Sequence, residues 1–331
     1  MTATAPTDPQ QTKLLKEHKF DRPLTSCHWD PLSRFIFCGA EDFLVHRVDL
    51  AGDQRISLSA HDSWVRAFGS SADGETLYTA GYDGRLIFWP AAADQPQPLR
   101  VIEAHRGWIR AIAVSPDGKS LATCGNDLLV KVWDTSSGSL LREFPGHAAH
   151  VYNLIYSQDS RWLFSCDLKG VVNAWSLATD ASRNLLTVTQ LHGYDTTFRA
   201  DIGGARSIAL RGDGSRIALG GITKVSNAFA GVGEIIVAIV NPADGKLDRV
   251  LQSKDKTTGT LWGLAWHTDG FWVGVCGGGG GGWLYFWKGD ADEEFFRLKL
   301  RNDGRGMSLS ADGKYIAVAH ADSHLRTYQL G

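Results

Sequence analysis

The chain has 331 residues, of which 43% are apolar and 21% charged, with a formal net charge of −2. So balanced a charge gives no global pull toward nucleic acid or an acidic membrane surface, and no apolar run is long enough to span a bilayer. The five cysteines, Cys27, Cys38, Cys124, Cys166 and Cys276, are odd in number and form no Cys-x-x-Cys pair, so they read as small buried hydrophobes in a reducing, cytoplasmic setting.

Residues 1–11 contain only Met, Thr, Ala, Pro, Asp and Gln. That composition predicts a disordered tail without the apolar segment of a secretory signal. A mixed apolar and polar stretch follows, Lys13 to Phe20, and after it a pattern repeats to the end of the chain. Asp-Gly recurs at Asp73-Gly74, Asp117-Gly118, Asp213-Gly214, Asp269-Gly270 and Asp312-Gly313, each time after an apolar run. Between alternating apolar runs this pair signals a hairpin, and a type I′ turn is the expected form.

The clearest unit runs from His105 to Asp134. Trp108 leads into a strand from Ile109 to Val114, a turn at Ser115 to Gly118 and a strand from Leu121 to Cys124. A turn at Gly125-Asn126-Asp127 then opens a third strand that ends at Trp133. The unit before it matches through His61, Trp64, Arg66, Thr79, Asp83 and Trp89, and the one after through Gly146-His147, Ser165, Gly170 and Trp175. Positions equivalent to Trp133 are Val48, Trp89, Trp175, Val240, Trp287 and Tyr328, at steps of 41 to 47 residues apart from one of 65 before Val240. Self-similarity at that period marks a repeat architecture, and the count is seven units.

The pattern, with Gly146-His147 and Trp133-Asp134 as signature dipeptides, resembles the WD-repeat β-propeller family over almost the whole chain after the first dozen residues. The resemblance implies an all-β fold, a seven-bladed propeller occupying residues 12–331 as one domain. The last unit ends after its third strand, so the stretch from Lys13 is expected to complete the last blade. It also implies that His105, Thr123, Asp127 and Trp133, and likewise His61, Thr79, Asp83 and Trp89, form buried structural networks. An active site occurs once, whereas these sets recur. Lys169 stands where the fourth unit should carry its Asp, so that network is expected to be broken, and Cys38 takes the hydroxyl position of the first. Blades 2 and 3 are therefore expected to be the most rigid.

Aligning the start of the innermost strand across the units gives Thr25, Arg66, Arg110, Tyr152, Arg206, Trp262 and Arg305. Two residues earlier stand Trp64, Trp108, His150 and Thr260, while Tyr82 and Asn126 precede the Asp of neighbouring turns. These side chains are predicted to gather round one mouth of the central channel. Arg, Trp and Tyr dominate binding hot spots, and Arg recognises carboxylate or phosphate bidentately. The expected function is a non-enzymatic scaffold that binds an acidic or phosphorylated protein segment there, as part of a complex. Against this, an Arg in that position can simply pair with Glu41 or Asp42, and Trp64 and Trp108 can pack across neighbouring loops.

Two insertions, His192 to Ala205 and Ile222 to Glu234, fall on the same side. The second, with Asn227, Phe229, Gly231 and Gly233, reads as a mobile flap over the mouth. Gly277 to Gly282 reads as a flexible hairpin tip, because no Gly-Lys-Ser and no helix follow it. His320 and His324 flank the last hairpin but supply too few ligands for a metal, so no metal or cofactor is expected. Two other functions compete. Nucleic acid could use the Arg and Trp of the mouth, and a propeller hydrolase or lactonase would need inward carboxylates or His, which the seven aligned positions lack.

Overall fold

The computed structural model describes residues 6–179, 181–227 and 232–331. The chain folds into seven four-stranded antiparallel sheets. Their innermost strands stand side by side round a ring, and Leu24–Trp29 of blade 1 packs against both Val65–Ser70 of blade 2 and Gly304–Leu309 of blade 7. All the predicted strand-ending positions, from Val48 to Tyr328, lie in third strands.

The ring closes as expected. Lys13–Lys19 pairs antiparallel with His324–Gln329 and becomes the outer strand of blade 7. Arg326, buried, holds that join: it reaches Asp322 in the bidentate manner at 2.9 and 2.8 Å and Glu17 of the N-terminal strand at 3.1 Å. Of the predicted tail, Pro9–Gln11 forms a single 3₁₀ turn capped by Asp8, whose N–H donates to the Gly331 carbonyl at 2.8 Å. Closure gives blade 7 its fourth strand, so each blade keeps only the short, protected edges of its innermost and outermost strands.

Between blades the core is interleaved apolar faces. Phe35, Phe37 and Val45 of blade 1, for example, pack against Leu77, Ile87 and Trp89 of blade 2. All five cysteines are buried in strands and unpaired.

The Asp-Gly turns differ from the type I′ form. Only the glycine takes positive φ, at +69° in Gly74 and +71° in Gly118, while the Asp before it does not. The Gly74 N–H donates to Ser71 O at 2.9 Å, and the Asp73 carboxylate accepts from the Ser71 hydroxyl and the Glu75 N–H. This is a type I turn followed by a left-handed residue. Its Asp is retained because the carboxylate pins the turn from within. Blades 1 and 4 build the same turn with Ser33 and Ser160 at φ of +57°.

The insertions are more ordered than a flap. His192–Asp195 and Ala200–Gly203 pair as a hairpin of their own. In blade 5 the strands Ile217–Asn227 and Val232–Asn241 run through the second insertion, so Asn227 and Gly233 are strand residues; Phe229 and Gly231 lie outside the described residues. The alternation of Ile, Val and Thr there favours a strand, and the glycines hid it. The glycine run is the predicted hairpin tip, but it is clamped. The Gly280 N–H donates to Thr258 O at 2.8 Å, and its carbonyl accepts from Trp283 Nε1 and Lys299 Nζ. A Cβ on Gly280 would lie 2.7 Å from Thr258 O, so the close approach of two backbones is what requires glycine.

Candidate functional site

The recurring polar sets are structural networks. In blade 2, His61 Nδ1 lies 2.8 Å from Asp83, an acceptor alone, which fixes the proton on that nitrogen. His61 Nε2 then accepts from the Thr79 hydroxyl at 2.9 Å, which itself accepts from the Trp89 indole at 2.9 Å. Blade 3 repeats this with Asp127, His105, Thr123 and Trp133 at 2.7–2.9 Å. Burial pushes the Asp83 and Asp127 carboxyls up, but the histidine hydrogen bonds and neighbouring amides outweigh it and hold both below the ordinary range.

Blade 4 is intact, contrary to the expectation from Lys169. Asp167 completes the set, 3.1 Å from His147, whose other nitrogen lies 2.7 Å from Ser165; Ser165 accepts from Trp175 at 2.8 Å. The reason lies at the equivalent of Asp167 in blade 2, which is Gly81. A Cβ there would sit 2.9 Å from the Asp83 carboxylate and 3.1 Å from His61. That position points at the network, so an Asp placed on the strand replaces one placed on the turn.

The aligned mouth positions share one backbone device. In six blades the register of the innermost strand shifts at this residue, skipping Thr25, Arg66, Arg110, Tyr152, Trp262 and Arg305. Arg206 stands just before Ser207, where the innermost strand of blade 5 begins. A bulge re-aims the extra side chain away from the ladder, here toward the channel.

Around the channel these residues form an alternating belt of guanidinium and aromatic groups. Arg110 lies 4.7 Å from the Trp108 ring and 4.6 Å from Tyr152, and Arg206 lies 4.0 Å from Tyr152 and 5.7 Å from Trp262. Arg66, from blade 2, crosses the mouth to lie 4.9 Å from Trp262 of blade 6 and donates to Arg305 O at 3.2 Å. Arg110 also donates to Asn126 at 2.9 Å and to the Tyr82 hydroxyl. Outside the belt, Tyr82 stacks on Trp108 at 4.1 Å and 2°, with Trp64 beside it at 6.2 Å. Trp64 and Trp108 remain 38% and 42% exposed, which makes the stack a solvent-facing ledge.

Not every candidate stays free. Arg305 pairs with Glu41 at 2.6 Å, the self-contained alternative raised by the sequence. Thr25 is buried and spends its hydroxyl on Val65 O, and Thr260 is buried too. His150 lies near Arg110, and burial, followed by that charge, pushes its imidazole down. Burial also lowers Arg66 and Arg206; the neighbouring phenols work the other way, and the other arginines add to the loss.

Two recesses meet at this belt. The outer one, about 330 Å³, includes Glu41, Asp303 and Arg305; the axial one, about 270 Å³, is lined by Arg66, Arg110 and Arg206, with His28, Asn153 and Ser308 deeper in. Asp303 and the deeper lining were not among the sequence candidates, because they belong to no aligned position with a distinctive residue type.

The model of the WD domain, G-beta repeat, matches residues 52–90, 96–134 and 138–176. The chain is a seven-bladed propeller carrying three WD40 repeats. The matched repeats are those that hold the complete networks. Each begins just before the outer strand of one blade and ends on the third strand of the next, the offset that calls for an N-terminal closing strand. The WD-repeat propeller is also similar to Transcription initiation factor TFIID subunit 5 of Caenorhabditis elegans, 26% identical over 156 residues, which is 47% of this chain and 24% of that protein. The chain thus spans about a quarter of the length of this relative. The WD40 repeats point to a protein-interaction scaffold. Among the described residues no three His, Cys, Asp or Glu side chains are grouped to hold a metal, and no helix is long and apolar enough to cross a membrane.

Proposed function

We propose that the WD-repeat propeller is a docking scaffold that binds an acidic protein segment at the channel mouth. One observation carries this reading. Arg66, Arg110 and Arg206 gather at a single mouth, and none of the three has an ion pair among the described residues. Charges that serve only the fold are normally paired. The exposed Trp64, Tyr82 and Trp108 ledge adjoins them and supplies the rigid aromatic contact area found in hot spots. The relative's name marks it as a subunit, which supports a role within a larger assembly. The buried, unpaired thiols fit a reducing, cytoplasmic setting.

The test is binding of acidic, neutral and basic peptide sets to the wild type and to the Arg66→Glu, Arg110→Glu variant, with the fold checked by circular dichroism. Acidic peptides should be selected by the wild type and lost, by tenfold or more, from the variant. Equal retention by both proteins overturns the rim as the site. Selective, steeply salt-dependent capture of single-stranded nucleic acid would give that rim a different partner class.

A further inference from the structure

We infer that the axial recess beneath the rim is a binding site for one phosphoryl group, carried into the channel by a phosphorylated segment of the partner. This rests on the rim reading and names the chemical group that the rim would select.

Charge bookkeeping within the recess is the first support. Among the described residues three guanidinium groups line it and no carboxylate does, although the outer recess directly adjoining it holds Glu41 and Asp303. His28 adds no charge of its own near neutral pH, since burial pushes its imidazole down to about 4, with Asp30 working the other way. The acidic residues of this mouth are therefore spent on the outer ring, and the inner ring is left positive.

Hydrogen-bond capacity is the second. Trp262 and Tyr152 each lie against two of the guanidinium groups, at 4.0–5.7 Å. Arg110 uses Nε on Asn126 and Nη1 on Tyr82, and Arg66 uses Nη2 on Arg305 O, out of five N–H donors on each. Arg206 Nε is buried and has no hydrogen-bond partner among the described residues. An unsatisfied buried donor on a charged group is costly to keep, and a bound anion removes the cost.

The choice of anion follows from stoichiometry. A phosphoryl group brings nearly two negative charges and three acceptor oxygens, whereas one carboxylate brings a single charge and two. Three arginines on a closed ring match the former. Arg66, which reaches right across the mouth to Trp262, stands between the two recesses and lines both, so an entering group would have to displace its stacking contact.

The test uses the whole chain with inorganic phosphate, with acetate, and with sodium chloride at matched ionic strength as the reference. Binding is followed by Trp fluorescence and by melting temperature. Phosphate should raise the melting temperature saturably, acetate much less, and Arg206→Met should weaken phosphate binding at least tenfold. In phosphate-free buffer Arg206→Met should melt at the same temperature or higher, because it removes an uncompensated charge and keeps the aliphatic volume; a merely structural arginine would make it melt lower. A phosphoserine peptide should bind more tightly than its unphosphorylated form. No saturable phosphate effect, or one that Arg206→Met leaves unchanged, overturns the axial site. The rim reading is judged separately, by the acidic peptides and the double Glu variant.

Discussion

Blades 2, 3 and 4 share one buried network, while blades 6 and 7 reach the same four-stranded geometry without it. In blade 6 the Trp287 indole donates to the Gln252 carbonyl, and the Tyr285 hydroxyl meets Thr257 at 2.6 Å. In blade 7, His320 bonds the Asn302 carbonyl, and the Arg326–Asp322 pair ties the turn. The contrast teaches that a blade is specified by its apolar faces and turns. The four-residue set is one way among several of satisfying the polar atoms that such packing buries.

If so, breaking the two kinds of blade should have unequal cost. Asp127→Ala leaves a fully buried histidine N–H without its acceptor, a loss of about 2–3 kcal/mol. Tyr285→Phe in blade 6 removes one neutral hydrogen bond and should cost about 1 kcal/mol. Denaturant unfolding of both variants checks the ratio, and equal losses would mean that the network has no special standing.

Blade 4 allows a finer cut. Asp167→Gly should cost roughly what Asp127→Ala does, about 2–3 kcal/mol, whereas Lys169→Ala should stay within about 0.5 kcal/mol, as surface changes do. The combined Asp167→Gly, Lys169→Asp variant rebuilds the turn-borne carboxylate of blades 2 and 3 and should recover most of the loss. Failure of that rescue would show that blade 4 holds its carboxylate in some way that the Gly81 geometry does not explain.

These blades also show what the sequence could and could not disclose. Period, turn residues and the Trp positions carried the fold, because each marks a place where the backbone or the core admits few residue types. The strand position of the mouth residues was legible too, since it recurs in every unit, although the bulge that re-aims six of them was not. Asp167 was missed because alignment by turn position takes no account of a side chain two residues away that reaches the same point in space. The axial recess was missed for a different reason: the aligned positions showed no carboxylate, but the deeper lining of His28, Asn153 and Ser308 comes from separate blades that no local pattern brings together.

Acid should separate the two regions by pH window. Burial, aided by Arg326, pushes the His320 imidazole down to about 4, as burial does for His28; both lie in blades without the network. A depressed folded value means stability that is complete above the ordinary pKa of about 6.5 and is lost as pH falls toward the folded value. The blade 2 and 3 carboxylates, Asp83 and Asp127, are also held low, so their contribution survives down to about 4 and fails only below it. Unfolding free energy should therefore decline first between about pH 6.5 and 4 and more steeply beneath. His28→Gln should flatten only the upper part. A decline confined to the region below pH 4 would remove the histidines from the account.

The smallest expected effect tests the feature that all seven blades share. The turn between the first two strands needs one left-handed residue, and it is Ser in blades 1 and 4 and Gly in the rest. At Gly118 an added Cβ would meet nothing within 4 Å, so Gly118→Ala changes backbone strain and little else. The left-handed conformation costs an L-residue about 1 kcal/mol, partly offset because alanine also restricts the unfolded chain. A net loss of about 0.5 kcal/mol is expected, and Ser160→Gly in blade 4 should gain no more than that. A much larger loss at Gly118 would mean that the turn transmits strain into the strands it joins, and that the left-handed serines of blades 1 and 4 hold a compensation that blade 3 lacks.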